Sequence, residues 1–557
     1  MIVDFKDDRF VVEDVSEFLS DMMRQIMPSG RHTKAVKGRV VWRTPATLTN
    51  AVRLYKKIRD WTPRASKQAE YLTQQAQTRL DVKKLSPEGQ TVAGLSCAQH
   101  IGATWLSMGS GVLADEMGSG KTVQACRALK LIGSTDILVI SPLSVMDSWR
   151  EHLLEWSGIE ANMVRGTDKQ QRKALAAGGC LVMSWGLLRK YSRLMSFGSV
   201  SVADADKKNK ELNAITFDAV IADEAHNAIN PNSQRTRALW SIKSERYWAL
   251  TGTPLANNAG DWWSMLRFVD SPNWTSRVRY IKRYCDKKDS YFGGYAITGF
   301  KQETKQELDS YTNHLLLARP IQEVIGREIV KKRTKRLAPL SRSHMKTYVE
   351  LRETLRAELA DKEVLTVANM LSVTVRLTQL ASAQLRYEDD DEDGKPIMCE
   401  PSPKLDVLEQ ILDELGGLPL VVMSASKQLI MLALRRLDKR KVPYAVITGD
   451  TPGKDRQRIV HDFKSGKHQV TFATTGAGGE GIDLSASRHL VMLQRPWSMV
   501  KSNQAEDRVR RWSQENNSVE IIDIVAPDTI DERITHILNR KNDDLYQLTK
   551  KEFLELL

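Results

Sequence analysis

The nine residues Ala114–Thr122, ADEMGSGKT, constrain this chain more than any other stretch. The apolar run Gly111-Val112-Leu113 before them reads as the end of a strand, and Val123–Leu131 after them holds good helix formers. A strand, a Gly-rich turn and a helix N-terminus together make an anion cradle, because backbone N–H groups and the helix dipole converge on one point. Gly118, Ser119 and Gly120 let the backbone close around phosphates. Lys121 is placed to reach the β/γ-phosphates and Thr122 to ligate Mg²⁺. The strict pattern begins with Gly, where this chain has Asp115. Alone, the stretch is also compatible with a chance Gly-rich turn, so its meaning depends on the rest of the chain.

About a hundred residues on, Ile221-Ala222-Asp223-Glu224-Ala225-His226 follows the apolar run Phe217–Ile221. Adjacent acids at a strand end suit Mg²⁺-nucleotide chemistry, with Asp223 holding the Mg²⁺ shell and Glu224 polarising the attacking water. A third anchor, Leu250-Thr251-Gly252-Thr253-Pro254, also follows a strand. Its small hydroxyl residues can link a nucleotide site to another ligand by hydrogen bonds.

The chain of 557 residues suggests three to four domains at ~150 residues each. It is 41% hydrophobic and 27% charged, as in soluble proteins with real cores. It has no run of ~18 apolar residues, and MIVDFKDDRF does not resemble a signal peptide. The five cysteines are scattered without a CxxC pair, which argues for a reducing cytoplasm and against a zinc site. Net charge is +13, and 15 Lys/Arg stand against three acids between Arg24 and Lys84. A localised surplus of this kind fits a nucleic-acid backbone, the alternative being a solvated basic surface.

Residues 1–90 read as a small basic accessory domain: a strand over Phe5–Val12, helical spacing over Val15–Ile26, a basic strand Lys37–Arg43, and basic helices Ala46–Trp61 and Arg64–Leu80. Lys56, Lys57 and Arg59 sit together on the first of these helices as candidate DNA contacts. Trp42, Tyr55 and Trp61 are either core or stacking residues. Residues 91–319 alternate strands and helices as in a doubly wound parallel sheet, with strands at Asp136–Ile140, Gly179–Ser184, Phe217–Ile221 and Tyr247–Leu250. Residues 320–400 read as a helical linker or insertion whose basic cluster Lys331–Arg336 is either a DNA contact or a solvated linker. A second alternation fills 401–530, and 531–557 reads as a C-terminal helix. The fold class is α/β.

Together these stretches resemble the Swi/Snf-type ATPases of helicase superfamily two, in order over about 430 residues from Leu95 to Glu532. The resemblance implies two tandem RecA-like lobes, ATP and Mg²⁺ as cofactors, and movement along double-stranded DNA. LSCAQHIGATWL resembles the adenine-recognition segment, with Gln99 in the glutamine place and Cys97-Ala98 replacing proline and tyrosine. SPLSVMDSWREHLLEW resembles the first DNA-contacting segment, which assigns Pro142, Ser144 and Trp149 to DNA. DEAHNAIN and LTGTPLANN are close matches and assign His226, Thr251, Gly252 and Thr253 to coupling. In the second lobe ITGDTPGKDRQRIVHDF carries Arg456, and TTGAGGEGIDL carries Thr475, Gly481 and Asp483, with Gly476 where a basic residue is common. QAEDRVRRWSQ resembles motif VI through Gln504, Arg508, Arg511 and Gln514, with Trp512-Ser513 in place of Ile-Gly. Pro496-Trp497 precedes it, and Trp497 is assigned to DNA.

Residues i and i+3 share a helix face, so Arg508 and Arg511 can point together at a γ-phosphate held by the first lobe. Arginine fingers of this kind are worth ~10³–10⁵ in rate. The sequence thus reads as a monomeric, ATP-dependent double-stranded-DNA translocase. The alternatives are a helicase or branch-migration enzyme at forks, a remodeller of RNA polymerase, and an ATP-gated DNA clamp.

Overall fold

The computed structural model describes residues 1–16, 19, 23, 30–32, 39–55, 57–85, 94–198, 200–252, 259–289, 295–360, 367–386, 396–478, 482–496, 499–511 and 513–533. They form two compact units, Met1–Gly326 and Arg327–Leu557. The architecture is α/β, with two tandem RecA-like lobes, each built on a parallel sheet.

The first unit opens with a small antiparallel sheet. Asp7 and Asp8 both have positive φ (49° and 55°), as a tight hairpin turn between right-twisting strands requires. The single strand expected over Phe5–Val12 is therefore two, Ile2–Lys6 and Arg9–Ser16. The helix expected over Val15–Ile26 gives way to this second strand as far as Ser16, and most of its remainder lies outside the described residues. The basic strand Arg39–Pro45 pairs with the second of these strands, Arg31–His32 pairs on its far side, and the core beneath includes Phe10, Trp42 and Leu54. The expected helix Ala46–Trp61 is shorter, Leu48–Tyr55. Lys57 and Ile58 close back on the Leu54 carbonyl, and Trp61 bridges to Val3. Lys57 and Arg59 are exposed on this connection rather than on a helix, and Lys56 lies outside the described residues. Helix Pro63–Lys83 starts at the Thr62 cap.

The main sheet of this unit runs in the order Leu316–Leu317, Gly111–Leu113, Lys243–Leu250, Thr216–Ala222, Ile137–Ser141, Cys180–Ser184, Ala161–Val164, and all its strands are parallel. Its inner strands are buried on both faces, which is why they read as unbroken apolar runs. Gly111–Leu113, Lys243–Leu250 and Thr216–Ala222 are successive neighbours. The three loops carrying the sequence anchors therefore leave adjacent strands at the same, C-terminal edge, where open α/β sheets bind ligands.

The second unit repeats the design with six parallel strands in the order Val330–Leu337, Ser518–Val525, His489–Met492, Leu420–Ser424, Val470–Thr474, Tyr444–Ile447. Its first strand is VKKRTKRL, the stretch expected as linker. It pairs along its whole length, from Val330 opposite Ser518 to Leu337 opposite Val525. No helix among the described residues is long and apolar enough to cross a membrane.

Candidate nucleotide site

Helix Lys121–Ile132 begins at Gly120, which is left-handed (φ 80°), as is Gly118 (φ 81°). These conformations turn the 114–120 loop over the helix N-terminus and suit residues without a Cβ. Lys121 Nζ donates to the Asp115 carbonyl at 2.8 Å and the Glu116 carbonyl at 3.2 Å, so its ammonium lies over the loop. Ser119 is fully buried, and Thr122 opens the helix beside Lys121.

Asp115, in the place of the usual glycine, has a wholly buried side chain. Its carboxylate accepts a fork from Arg319 (Nη2 at 2.7 Å, Nε at 3.1 Å) and a bond from Gln124 Nε2 at 3.1 Å. Arg319 also donates to Gln124 Oε1 and to the Ala98 carbonyl. Sequence reasoning missed Arg319, because a lone Arg-Pro carries no motif. It comes to the loop because Leu316–Leu317 pairs beside Gly111–Leu113, continued by Ala114 N–H to the Leu317 carbonyl (2.7 Å) and Glu116 N–H to the Arg319 carbonyl (2.9 Å).

Gln99 is buried near the start of helix Cys97–Ser107. Its Oε1 accepts from the Ser96 N–H at 3.0 Å in a capping box, and its Nε2 donates to the Ser119 carbonyl at 3.0 Å. The glutamine thus grips the phosphate loop itself.

Asp223 stands at the neighbouring strand end. Its Oδ2 accepts from the Trp149 indole at 2.7 Å, and its own N–H donates to the Ile140 carbonyl. Burial and the adjacent Glu224 carboxylate push Asp223 up to about 6, against the Trp149 and backbone bonds and the charge of Lys121. Glu224 is left-handed (φ 47°), an uncommon state for a residue with a Cβ. Its Oε2 lies 3.3 Å from His226 Nδ1, and its carbonyl accepts from Asn227 Nδ2. Thr251 is buried and donates its N–H to the Leu113 carbonyl. A Cβ on Gly252 would lie 2.2 Å from Met117 Cγ and 3.2 Å from Lys121 Nζ. Thr253 lies outside the described residues.

Trp149, expected to face DNA, is 1% exposed with its indole committed to Asp223. Its apolar body fills the core under the acid site, which corrects that assignment. On the same segment Pro142 is buried, Ser144 is half-buried and Leu143 is 71% exposed.

In the second unit Arg508 and Arg511 follow helix Met499–Glu506 on turns, not on the helix expected for them, and Gln504 is half-buried on that helix. Leu484 N–H donates to the Arg508 carbonyl. Burial pushes Asp483 up, but Arg511, Lys464 and Ser485 outweigh it and hold its carboxyl well below the usual range. Arg456 turns onto the carbonyls of Thr451 (2.9 Å) and Thr448 (3.0 Å), bracing its own turn. Thr475 is buried, and Gly481 and Trp497 lie outside the described residues.

Two parallel-sheet lobes, with a Gly-rich loop and an acid pair at adjacent strand ends of the first, make up a tandem RecA-like fold. The SNF2-related domain family matches residues 43–385, and the helicase conserved C-terminal domain matches residues 403–513. The chain belongs to the SNF2-related family. It is 27% identical to an uncharacterized ATP-dependent helicase of Mycoplasma genitalium, over 85% of this chain and 43% of that one. It is 25% identical to a putative ATP-dependent helicase/translocase of Bacillus subtilis, over 81% and 48%. It is also 25% identical to the ISWI chromatin-remodeling complex ATPase of Saccharomyces cerevisiae, over 78% and 38%. The chain thus spans less than half the length of these relatives. The Sulfolobus solfataricus SWI2/SNF2 ATPase core in complex with dsDNA aligns at 20% identity and a TM-score of 0.38, over 85% of this chain and 96% of that one.

Proposed function

We propose that this chain is a DNA-dependent ATPase that moves along double-stranded DNA. The observation that carries the reading is the convergence of three loops at adjacent strand ends of the first unit: the phosphate loop, Asp223-Glu224 and Thr251-Gly252. The left-handed Gly118 and Gly120 and the Cβ-free approach of Gly252 leave room for phosphates next to Lys121. Thr122 and Asp223 would hold Mg²⁺, which supplies charge neutralisation on the transferred phosphoryl group. Glu224 orients the attacking water, and Lys121 leaves the loop carbonyls for the phosphates. Gln99 passes the state of the loop to helix Cys97–Ser107. Arg508 and Arg511 are the candidate arginine fingers carried by the second unit, so each should be needed for full turnover.

The exposed Leu143 with the half-buried Ser144 beside it, and the basic N-terminal face, are the proposed DNA contacts. The family match and the likeness to a putative helicase/translocase support ATP-driven movement. The test is displacement of a triplex-forming strand, which should occur with ATP and without separation of the underlying duplex. Duplex unwinding would mark a helicase. A preference for forks or four-way junctions over linear DNA would mark branch migration. Co-purification with RNA polymerase would mark a remodeller, and DNA binding without stimulated turnover a clamp.

A further inference from the structure

The first residues of the second unit are stapled to the segment that carries Arg508 and Arg511. Arg327 donates to the carbonyls of Gln514 and Glu515. Arg510 Nε returns a bond to the Ile329 carbonyl at 2.9 Å. On the strand that begins at Val330, Lys331 Nζ lies 3.3 Å from Glu506 Oε2 and 2.7 Å from Asp507 Oδ1. Arg333 reaches Glu506 Oε1 at 2.5 Å and Asp523 Oδ2 at 2.9 Å. Arg495 joins the same two acids at 3.3 Å and 2.9 Å. Glu506 and Asp523 are 2% and 1% exposed, so these are low-dielectric, multiply bonded charges rather than surface pairs. Neither acid nor its cations belong to the nucleotide site described above.

We infer that Lys331 and Arg333 are positioning residues for the arginine segment: they clamp Glu506-Asp507, the two residues before Arg508, and so fix where its guanidinium and that of Arg511 point. The inference rests on the finger reading of Arg508 and Arg511. The chain leaves the first unit at Gly326 and within seven residues is bonded to the finger segment at Arg327, Ile329, Lys331 and Arg333.

The test is a cycle of DNA-stimulated ATPase measurements on the full chain, with melting temperature recorded for each variant. Lys331→Gln and Arg333→Gln should each lower kcat by about tenfold to a hundredfold, the cost of a small misplacement of a catalytic group, with KM for ATP little changed. Arg333→Lys should recover part of the loss. In an Arg508→Ala/Arg511→Ala background, Lys331→Gln should cause no further fall, because it acts through groups already removed. Parent-like kcat in a folded Lys331→Gln, or the same fractional loss with and without the fingers, overturns the inference. If Arg333→Gln does not fold, Lys331→Gln, whose side chain is 25% exposed, carries the test. Full turnover in Arg508→Ala/Arg511→Ala would instead overturn the finger reading itself.

Discussion

Glu224 and Gly252 show how local strain and shape mark the site. Glu224 keeps a left-handed backbone that costs on the order of 1 kcal/mol or more, a state typical of positions held by function. Glu224→Gln should retain ATP binding and lose nearly all hydrolysis, and Lys121→Ala should lose both; nucleotide-binding and phosphate-release assays on the same preparations check this. Gly252→Ala forces a Cβ into Met117 and toward Lys121. It should cut turnover at least tenfold, and shortening the obstacle with Met117→Ala should restore part of it; a fully active Gly252→Ala would contradict the close approach. The positions of these loops were legible because the Gly-rich turn, the acid pair and the Thr251-Gly252 turn each follow an apolar run in the sequence. Trp149 was misread because an indole in a motif looks the same whether it faces DNA or holds a carboxylate.

At the scale of elements, partners distant in sequence decide what motifs cannot. The two-residue strand Leu316–Leu317 brings Arg319 to Asp115, a pair separated by 204 residues. Breaking a buried pair costs about 3–5 kcal/mol, so Arg319→Ala should lower the melting temperature sharply. Gly102→Ala, whose Cβ would lie 1.8 Å from Gln124 Oε1, should disturb the same network. The parallel strands were legible from their doubly buried apolar runs. Val330–Leu337 was not, because six of its eight residues are Lys, Arg or Thr, and an edge strand tolerates such charge. What identifies it is the register against Ser518–Val525.

The join between the N-terminal helices and the first lobe is also an element-scale feature, and it titrates. Thr49 Oγ1 donates to Asp270 Oδ2 at 2.8 Å and lies 3.3 Å from His314 Nε2. Burial, with Arg79, Arg53 and Lys83 nearby, pulls His314 down to about 3. Burial pushes Asp270 up to about 6, against bonds from Thr49, Asn273 and Trp274 and the charge of Arg53. Between about pH 6 and 4 the unfolded chain protonates His314 and the folded chain does not, which destabilises the fold as pH falls. Over the same window the folded chain protonates Asp270 and the unfolded chain does not, which stabilises it, and the two effects offset. Asp270→Asn removes the second effect. Its stability deficit relative to the parent should therefore grow as pH is lowered from 6 to 4; a deficit constant with pH would contradict this.

For the whole molecule, the basic surplus near the N-terminus divides into two roles. Arg53 stacks between Trp274 and Tyr311 (4.9 and 4.6 Å), Arg79 lies 4.2 Å over Trp105, and Lys83 bonds the Leu316 carbonyl at 2.9 Å. These cations hold the N-terminal helices on the first lobe. Lys57, Arg59 and Lys67 are exposed, and composition could not separate them from the three that pack against the lobe. Neutralising Lys57, Arg59 and Lys67 together should weaken duplex binding and make its log–log salt slope shallower, by about 0.9 for each phosphate no longer neutralised. The maximal ATPase rate at saturating DNA should stay near that of the parent. Whether this protein tracks duplex DNA is decided by its ATP hydrolysis rate against duplex and single-stranded DNA at matched nucleotide concentration and stated salt. Clearly greater stimulation by duplex is expected; equal or greater stimulation by the single strand would contradict duplex tracking.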